Sequence, residues 1–151
     1  MLCSLTRCAR PIGFGGLVIT GIAHVCYTVS DLDRAVAFYC DQLGLTPAFP
    51  FINDEGRRTG QYIHVGGRNF LELFEGDLAD AAEGQAYRHL CLEVDDLQGT
   101  IDALRAADVE VTGIKIGKDR SHQAWIVDPD GNRIELHKYN ADSKQTLWVE
   151  E

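Results

Sequence analysis

HVCYTVSDLDRAVAFY, residues 24–39, resembles HLCLEVDDLQGTIDAL, residues 89–104, at an offset of 65 positions. In the same way YIHVGGRNFLELF, residues 62–74, resembles WIVDPDGNRIELH, residues 125–137, at an offset of 63 positions. His, Cys, Val, Asp and Leu recur in the first pair of segments, and Ile, Asn, Glu and Leu recur in the second. Self-similarity at a nearly constant offset indicates an internal repeat, so the chain is predicted to consist of two similar halves.

Each half is predicted to fold in the order βαβββ. Short runs with alternating apolar residues or β-branched residues indicate the strands, and apolar residues at helical spacing indicate one helix after the first strand. Ser30 is the expected N-cap of the first helix, Gly44 its stop, and Asp95 or Asp96 the N-cap of the second helix. The predicted strands are residues 22–29, 46–51, 60–65 and 69–74 in the first half and 89–94, 110–116, 123–127 and 132–137 in the second.

The 151-residue chain has 45% hydrophobic residues and fits one domain, which buries enough apolar surface to fold without a disulfide or structural metal. We expect a disordered extension at residues 1–16, one domain at 17–140 and a C-terminal tail at 141–151. Within the domain, the first module is predicted at about residues 20–76 and the second at about 87–138.

The net charge of -9 argues against binding to nucleic acid or to an anionic membrane, because phosphate binding needs clustered Lys and Arg. No apolar run approaches the roughly 20 residues that a membrane-spanning helix needs. Five cysteines without CxxC spacing resemble neither a disulfide framework nor a zinc knuckle. We therefore expect a cytoplasmic protein with reduced thiols and a small-molecule partner.

Side-chain alternation along the strands separates an apolar face from a polar one. On the first strand His24, Cys26 and Thr28 point to one side, and the intervening Val and Tyr residues point to the other. Every predicted strand that carries the repeat follows this rule. The helices are expected to pack on the apolar face, which leaves the opposite face for chemistry.

Four side chains on that polar face are candidate metal ligands. Two neutral imidazoles and two carboxylates suit a divalent first-row ion in five- or six-coordinate geometry, with positions left for water or substrate. Zn, Ni, Co, Mn and Fe(II) all remain possible. A local two-fold relation between the halves could bring the four side chains to one point. They are His24, Glu72, His89 and Glu135.

The same face supplies candidate contacts to a substrate. Arg133 and His137 flank Glu135 on its strand. His137 could contact the substrate, or it could form a hydrogen bond to a metal ligand without binding the metal itself. Thr28 and Glu93 lie further along the first strand of each half. Phe70 and Phe74 could form an apolar wall.

These features resemble the vicinal-oxygen-chelate superfamily, and within it the glyoxalase I-like proteins. The resemblance rests on the spacing of the four candidate ligands, on SDLDRAVAFYCDQLGL at residues 30–45, and on DPDGNRIEL at residues 128–136. It covers nearly all of residues 20–138. It implies an α+β fold of two βαβββ modules that form a cupped mixed sheet with helices on the convex face, and a homodimer with metal sites built between modules.

For function, the resemblance implies a lyase or isomerase that removes a proton next to a carbonyl group while the metal stabilises an enediolate. Such charge stabilisation by a dication can supply several kcal/mol. Glu135 and Glu72 are the expected catalytic carboxylates, and either could leave the metal to act as the base. Glutathione-using members typically have Arg and Asn where this chain has Thr28 and Gly76, so we expect a carbonyl substrate other than a glutathione adduct.

Two alternatives remain open on the same scaffold. A non-haem iron ring-cleaving dioxygenase would bind Fe(II) through two His and one carboxylate. A metal-free antibiotic-binding protein would need no ligand quartet.

Overall fold

The computed structural model describes residues 21–78 and 87–150 and contains two βαβββ modules, as the repeat predicts. The predicted extension at residues 1–16 lies outside the described residues. In the first module, β1 spans His24–Val29, β2 Thr46–Ile52, β3 Arg58–Gly66 and β4 Asn69–Glu75. In the second module, β5 spans Leu90–Glu93, β6 Lys115–Ile116, β7 His122–Val127 and β8 Arg133–Lys138.

Each module forms its own four-stranded mixed sheet, with strand orders β1-β4-β3-β2 and β5-β8-β7-β6. The first strand of a module runs parallel to the last, and the other pairs are antiparallel. β1 and β5 therefore lie at the edges of their sheets. The predicted α+β fold class is confirmed.

Helix α1, Leu32–Val36, continues as a π-helical segment over Ala37–Gln42, and Gly44 follows with a φ of +72°. The predicted stop at Gly44 is confirmed, since glycine adopts this backbone conformation without a steric penalty. The N-cap is Asp31 and not Ser30: the Asp31 carboxylate accepts a 2.9 Å hydrogen bond from the Arg34 amide.

Helix α2, Leu97–Ala106, is capped by Asp96, one of the two residues predicted for that role. The strand predicted at residues 110–116 is much shorter, because only the two residues of β6 pair with β7. A third helix, α3, spans Lys144–Glu150 within the segment predicted as a tail. No helix among the described residues is long and apolar enough to cross a membrane.

One hydrophobic core joins the two modules. α1 packs on β3 and β4, and α2 packs on β7 and β8. Polar contacts also cross between the halves: Tyr39 donates a 2.9 Å hydrogen bond to Asp128, and Arg34 forms a 2.9 Å ion pair with Asp130. The apolar face predicted from strand alternation is confirmed by buried residues of both modules, including Val29, Leu71, Leu73, Ile134 and Leu136.

Candidate metal and substrate site

The polar face of each sheet carries one His–Glu pair. In the first module, His24 Nε2 lies 3.5 Å from Glu72 Oε2, because β1 and β4 are parallel neighbours. In the second module, His89 Nε2 lies 3.2 Å from Glu135 Oε2. His89 immediately precedes β5, and Glu135 is on the neighbouring β8. The repeat therefore produces two similar half-sites.

The four candidate ligands do not meet at one point within a single chain. Among the residues that the structure describes, one group of three or more potential ligands has all its ligand atoms within 4.8 Å of one another. That group is Cys91, Glu135 and His137. The candidate ligands His24, Glu72 and His89 are outside this group, so one chain holds two separate His–Glu pairs.

Each histidine packs against an aromatic residue that the sequence reasoning missed. The Tyr62 hydroxyl lies 3.1 Å from His24 Nδ1. The Trp125 ring meets the His89 ring edge-on, with centroids 4.8 Å apart. Tyr62 and Trp125 begin the second pair of repeated segments and are equivalent in the repeat. That equivalence was a usable signal for both residues.

Nearby carboxylates and burial keep the thiols of both half-sites protonated. Burial and the nearby Glu135 raise the pKa of the Cys91 thiol to about 11. Burial and Glu72 also raise the pKa of Cys26. In the absence of a cation, neither cysteine is thus a reactive thiolate near neutral pH.

His137 makes contacts that tie the second half-site to the C-terminal helix. Its Nδ1 lies 2.8 Å from Glu135 Oε1, and its Nε2 lies 3.5 Å from Asp119 Oδ2. Gln145 on α3 donates a 2.7 Å hydrogen bond to Asp119, and this bond, with others from Ser121, lowers the pKa of Asp119. His137 therefore lies between two carboxylates, behind the metal-ligand candidate Glu135.

The other predicted substrate contacts lie on the expected face. Thr28 on β1 and Glu93 on β5 are exposed. Arg133 is exposed too, and its guanidinium lies over the Trp125 ring, 4.4 Å from the ring centroid. The negative face of the indole ring attracts the guanidinium charge in such a cation–π contact. An open groove of about 1080 Å³ adjoins these two residues.

Phe70 and Phe74 belong to a larger cluster of aromatic rings on β2, β3 and β4. Phe49 stacks on Tyr62 with centroids 4.7 Å apart, and Phe51 packs against Phe74 at 4.8 Å. Phe49 is 50% exposed. We call this surface the aromatic wall; its members are Phe49, Phe51, Tyr62, Phe70 and Phe74. It adjoins the His24–Glu72 pair through Tyr62.

The sequence of the two modules matches a known family. The model of the Glyoxalase/Bleomycin resistance protein/Dioxygenase superfamily matches residues 21–136. The chain belongs to this superfamily. Proteins of several activities share this superfamily name, so membership by itself does not choose among them.

Relatives within the superfamily differ in what they do. A probable lactoylglutathione lyase of Vibrio cholerae is 33% identical over 76% of this chain and 88% of its own length. A metallothiol transferase FosB of Staphylococcus epidermidis is 29% identical over 79% of this chain and 82% of its own. The solved structure of TnmS3, an antibiotic-binding protein from Streptomyces, is 26% identical, covers 82% of this chain and 99% of its own, and gives a TM-score of 0.67.

Proposed function

We propose that this protein is a glyoxalase I-like lyase or isomerase that depends on a divalent metal and moves a proton next to a carbonyl group. The observation that carries this proposal is the occurrence of two His–Glu pairs at equivalent positions of the repeat. We further propose that the protein works as a homodimer. Each metal site then takes His24 and Glu72 from one copy and His89 and Glu135 from a second copy.

The donor set fits a first-row divalent ion. Imidazole nitrogens and carboxylate oxygens bind such ions at about 2.0–2.2 Å, which places neighbouring ligand atoms roughly 3 to 3.5 Å apart. The distances of 3.5 Å and 3.2 Å within the two pairs agree with this spacing. An ion would supply a positive charge that polarises a carbonyl oxygen and stabilises negative charge developing on it.

The residues around His24 prepare it for such a role. When Nδ1–H donates to the Tyr62 hydroxyl, Nε2 keeps its lone pair and faces Glu72. Ligating histidines commonly have their second nitrogen held in this way, which fixes the tautomer and the ring orientation. Trp125 holds the His89 ring by packing instead.

The sheet edges provide a route to a two-copy site. Within residues 21–78 and 87–150, β1 and β5 each pair with a strand on one side only. An edge strand presents unpaired N–H and C=O groups that can pair with another chain. If β1 of one copy lies beside β5 of a second copy, the His24–Glu72 pair of the first copy lies next to the His89–Glu135 pair of the second.

The chemistry then needs a carboxylate to accept the proton and a pocket that limits water. Glu72 and Glu135 are the carboxylates within the proposed site, and a positioned base of this kind contributes about 10²- to 10⁴-fold to a rate. The aromatic wall lowers the local polarity beside Glu72. Thr28 and Gly76 occupy the positions of the expected Arg and Asn, which favours a substrate without glutathione.

Mixed dimers would test this arrangement. One chain carries His24→Ala with Glu72→Ala, and the other carries His89→Ala with Glu135→Ala. Each variant alone should bind no Co(II) at the site, whereas the mixed dimer should regain one ion per dimer against two in the wild type. A mixed dimer that binds no Co(II) would show that the sites lie within one chain.

Activity would be tested with hemithioacetals of several thiols and with 2-substituted acyl thioesters. Turnover that EDTA removes and Ni, Zn, Co or Mn restores is the expected result. Oxygen-sensitive iron with ring cleavage of catechols would instead identify a dioxygenase.

A second candidate function is metal-free binding of a flat aromatic molecule. The aromatic wall favours it, since Phe49 is half exposed and stacked rings present a flat apolar surface. Purified protein that binds no divalent ion but binds planar aromatic compounds would establish this function in place of the first.

A further inference from the structure

We infer that His137 is a positioning residue that holds Glu135 in place as a fixed metal ligand. The inference rests on the proposed function, because it assigns a role towards the proposed metal site. The geometry that carries it is the contact between His137 Nδ1 and Glu135 Oε1 at 2.8 Å, while Glu135 Oε2 faces His89 Nε2 at 3.2 Å. One carboxylate oxygen is thus held from behind, and the other faces the ligand position.

His137 has the burial that such a role needs. His137 is 5% exposed and Glu135 is 8% exposed, so neither side chain can exchange this contact freely for water. A carboxylate in such surroundings needs hydrogen-bond partners, and the nearby imidazole supplies one. Both residues point to the same face of β8 because they are two positions apart.

Contacts on the far side of the imidazole keep the ring in this orientation. His137 Nε2 is buried, has no hydrogen-bond partner within the described part of the chain, and faces Asp119 Oδ2 at 3.5 Å. Asp119 is itself fixed by Gln145 Nε2 at 2.7 Å and by the Ser121 amide at 3.2 Å. A continuous series of contacts therefore connects α3 with Glu135 through Asp119 and His137.

The first module has no imidazole at the equivalent position. The residue equivalent to His137 in the repeat is Phe74, two positions after Glu72. Its ring has no hydrogen-bonding group and packs against Phe51. The two half-sites are thus unequal: Glu135 has a hydrogen-bonding support on its own strand, and Glu72 has an apolar neighbour there.

Cobalt binding would test the inference without needing a substrate. The Co(II) dissociation constant and the visible spectrum are measured for the wild type and for His137→Leu, His137→Asn and Asp119→Asn. Loss of a group that holds a ligand typically weakens metal binding about 10- to 100-fold, and we expect that loss for His137→Leu. The Asn side chain can place its amide nitrogen near the position of Nδ1, so His137→Asn should bind almost as the wild type does. Asp119→Asn should be intermediate.

The outcomes separate this inference from the proposed function. If His137→Leu and His137→Asn give the same Co(II) affinity, whether weak or strong, His137 does not hold Glu135 and the inference is wrong. A sulfur-to-cobalt charge-transfer band that both Cys91→Ser and His137→Asn remove would make Cys91 and His137 ligands, which also overturns it. If Glu135→Gln leaves the wild-type Co(II) affinity unchanged, the proposed metal site itself fails.

Discussion

Glu72 and Glu135 occupy equivalent positions of the repeat, yet their surroundings differ. His137 lies 2.8 Å from Glu135, whereas Phe74 takes the corresponding position beside Glu72. A carboxylate that must leave an ion to accept a proton needs freedom to move, and a carboxylate that must remain bound needs support. Within the proposed site, Glu72 is therefore the better candidate for the base and Glu135 for the permanent ligand.

Substitution of each glutamate by glutamine should separate the two tasks. Glu135→Gln is expected to weaken Co(II) binding by more than the roughly 10- to 100-fold that is typical for loss of a residue behind a ligand, because it removes the charge of the ligand itself. Glu72→Gln should weaken Co(II) binding less but reduce turnover by about 10²- to 10⁴-fold, because it removes the base. Isothermal titration with Co(II) and kcat for a hemithioacetal that the wild type turns over give the comparison. A Glu72→Gln protein with wild-type kcat would contradict the assignment.

At this scale the sequence predicts which way a side chain points but not what touches it. Alternation along β1 and β8 places His24 and Glu135 on the polar face. It cannot show that Tyr62 reaches His24 Nδ1, because that contact depends on the distance and twist between non-adjacent strands. Asp119 and Gln145 lie outside the repeated segments, so no equivalence within the sequence points to them.

The order of strands and helix in each half, βαβββ, could be predicted because every strand has a clear signal in its local sequence. The sequence predicts too long a strand at β6. Residues 110–116 are rich in β-branched residues, but pairing with β7 is limited to Lys115 and Ile116. Pairing needs a partner at the right register, which propensity alone does not supply. Helix α3 was missed because its anchoring comes from tertiary contacts, such as the one between Ser121 and Ser143.

The hydrogen bond from Tyr39 to Asp128 links the π-helical segment of one module to the β7–β8 turn of the other. Asp128 also accepts bonds from the amides of Asp130 and Asn132, so it organises that turn. Tyr39→Phe should lower the free energy of unfolding by about 1–3 kcal/mol at pH 8, since it removes a buried donor to a carboxylate. Urea unfolding measures this loss.

The same bond predicts how stability responds to alkaline pH. Burial and the nearby Asp128 raise the pKa of Tyr39, so the folded state favours the protonated phenol. Its contribution is complete below the ordinary tyrosine pKa of about 10 and is lost as pH rises above that value. The difference in unfolding free energy between wild type and Tyr39→Phe should therefore shrink between pH 8 and pH 11. A difference that stays constant would exclude this linkage.

The aromatic wall makes a prediction about ligands on the first module. Benzohydroxamate and acetohydroxamate chelate a metal through the same two oxygens and differ in a phenyl or methyl group. With Co(II) bound, the phenyl compound should bind about tenfold more tightly, since an aromatic contact adds roughly 0.5–1.5 kcal/mol to its burial. Phe49→Ala should reduce this preference, whereas Ile52→Ala, which trims an exposed side chain of the same strand, should leave it intact. Equal affinities for the two hydroxamates would show that the aromatic wall takes no part in ligand binding.

The core holds the two modules together, while the four candidate metal ligands lie in two separate pairs. Residues of both halves form one hydrophobic cluster, so the two modules pack against each other through a shared core. The repeat predicts two equivalent half-sites, but their arrangement depends on how the sheets pack, which strand alternation does not encode. In the proposed homodimer, a second copy beside the β1 and β5 edges would supply the other His–Glu pair of each site.

Metal binding and dimer formation should therefore be linked. If each ion bridges two copies, it binds the dimer better than the monomer, and a cobalt concentration 100 times the dissociation constant adds about 2.7 kcal/mol of dimer stability per site. Sedimentation of the wild type should show a dimer dissociation constant that falls by roughly 100-fold per bound ion and rises again with EDTA. The His24→Ala, Glu72→Ala double variant provides the control, because it should dimerise with the same affinity with and without Co(II). Cobalt that binds the wild type tightly but leaves its dimer dissociation constant unchanged would place each site within one chain.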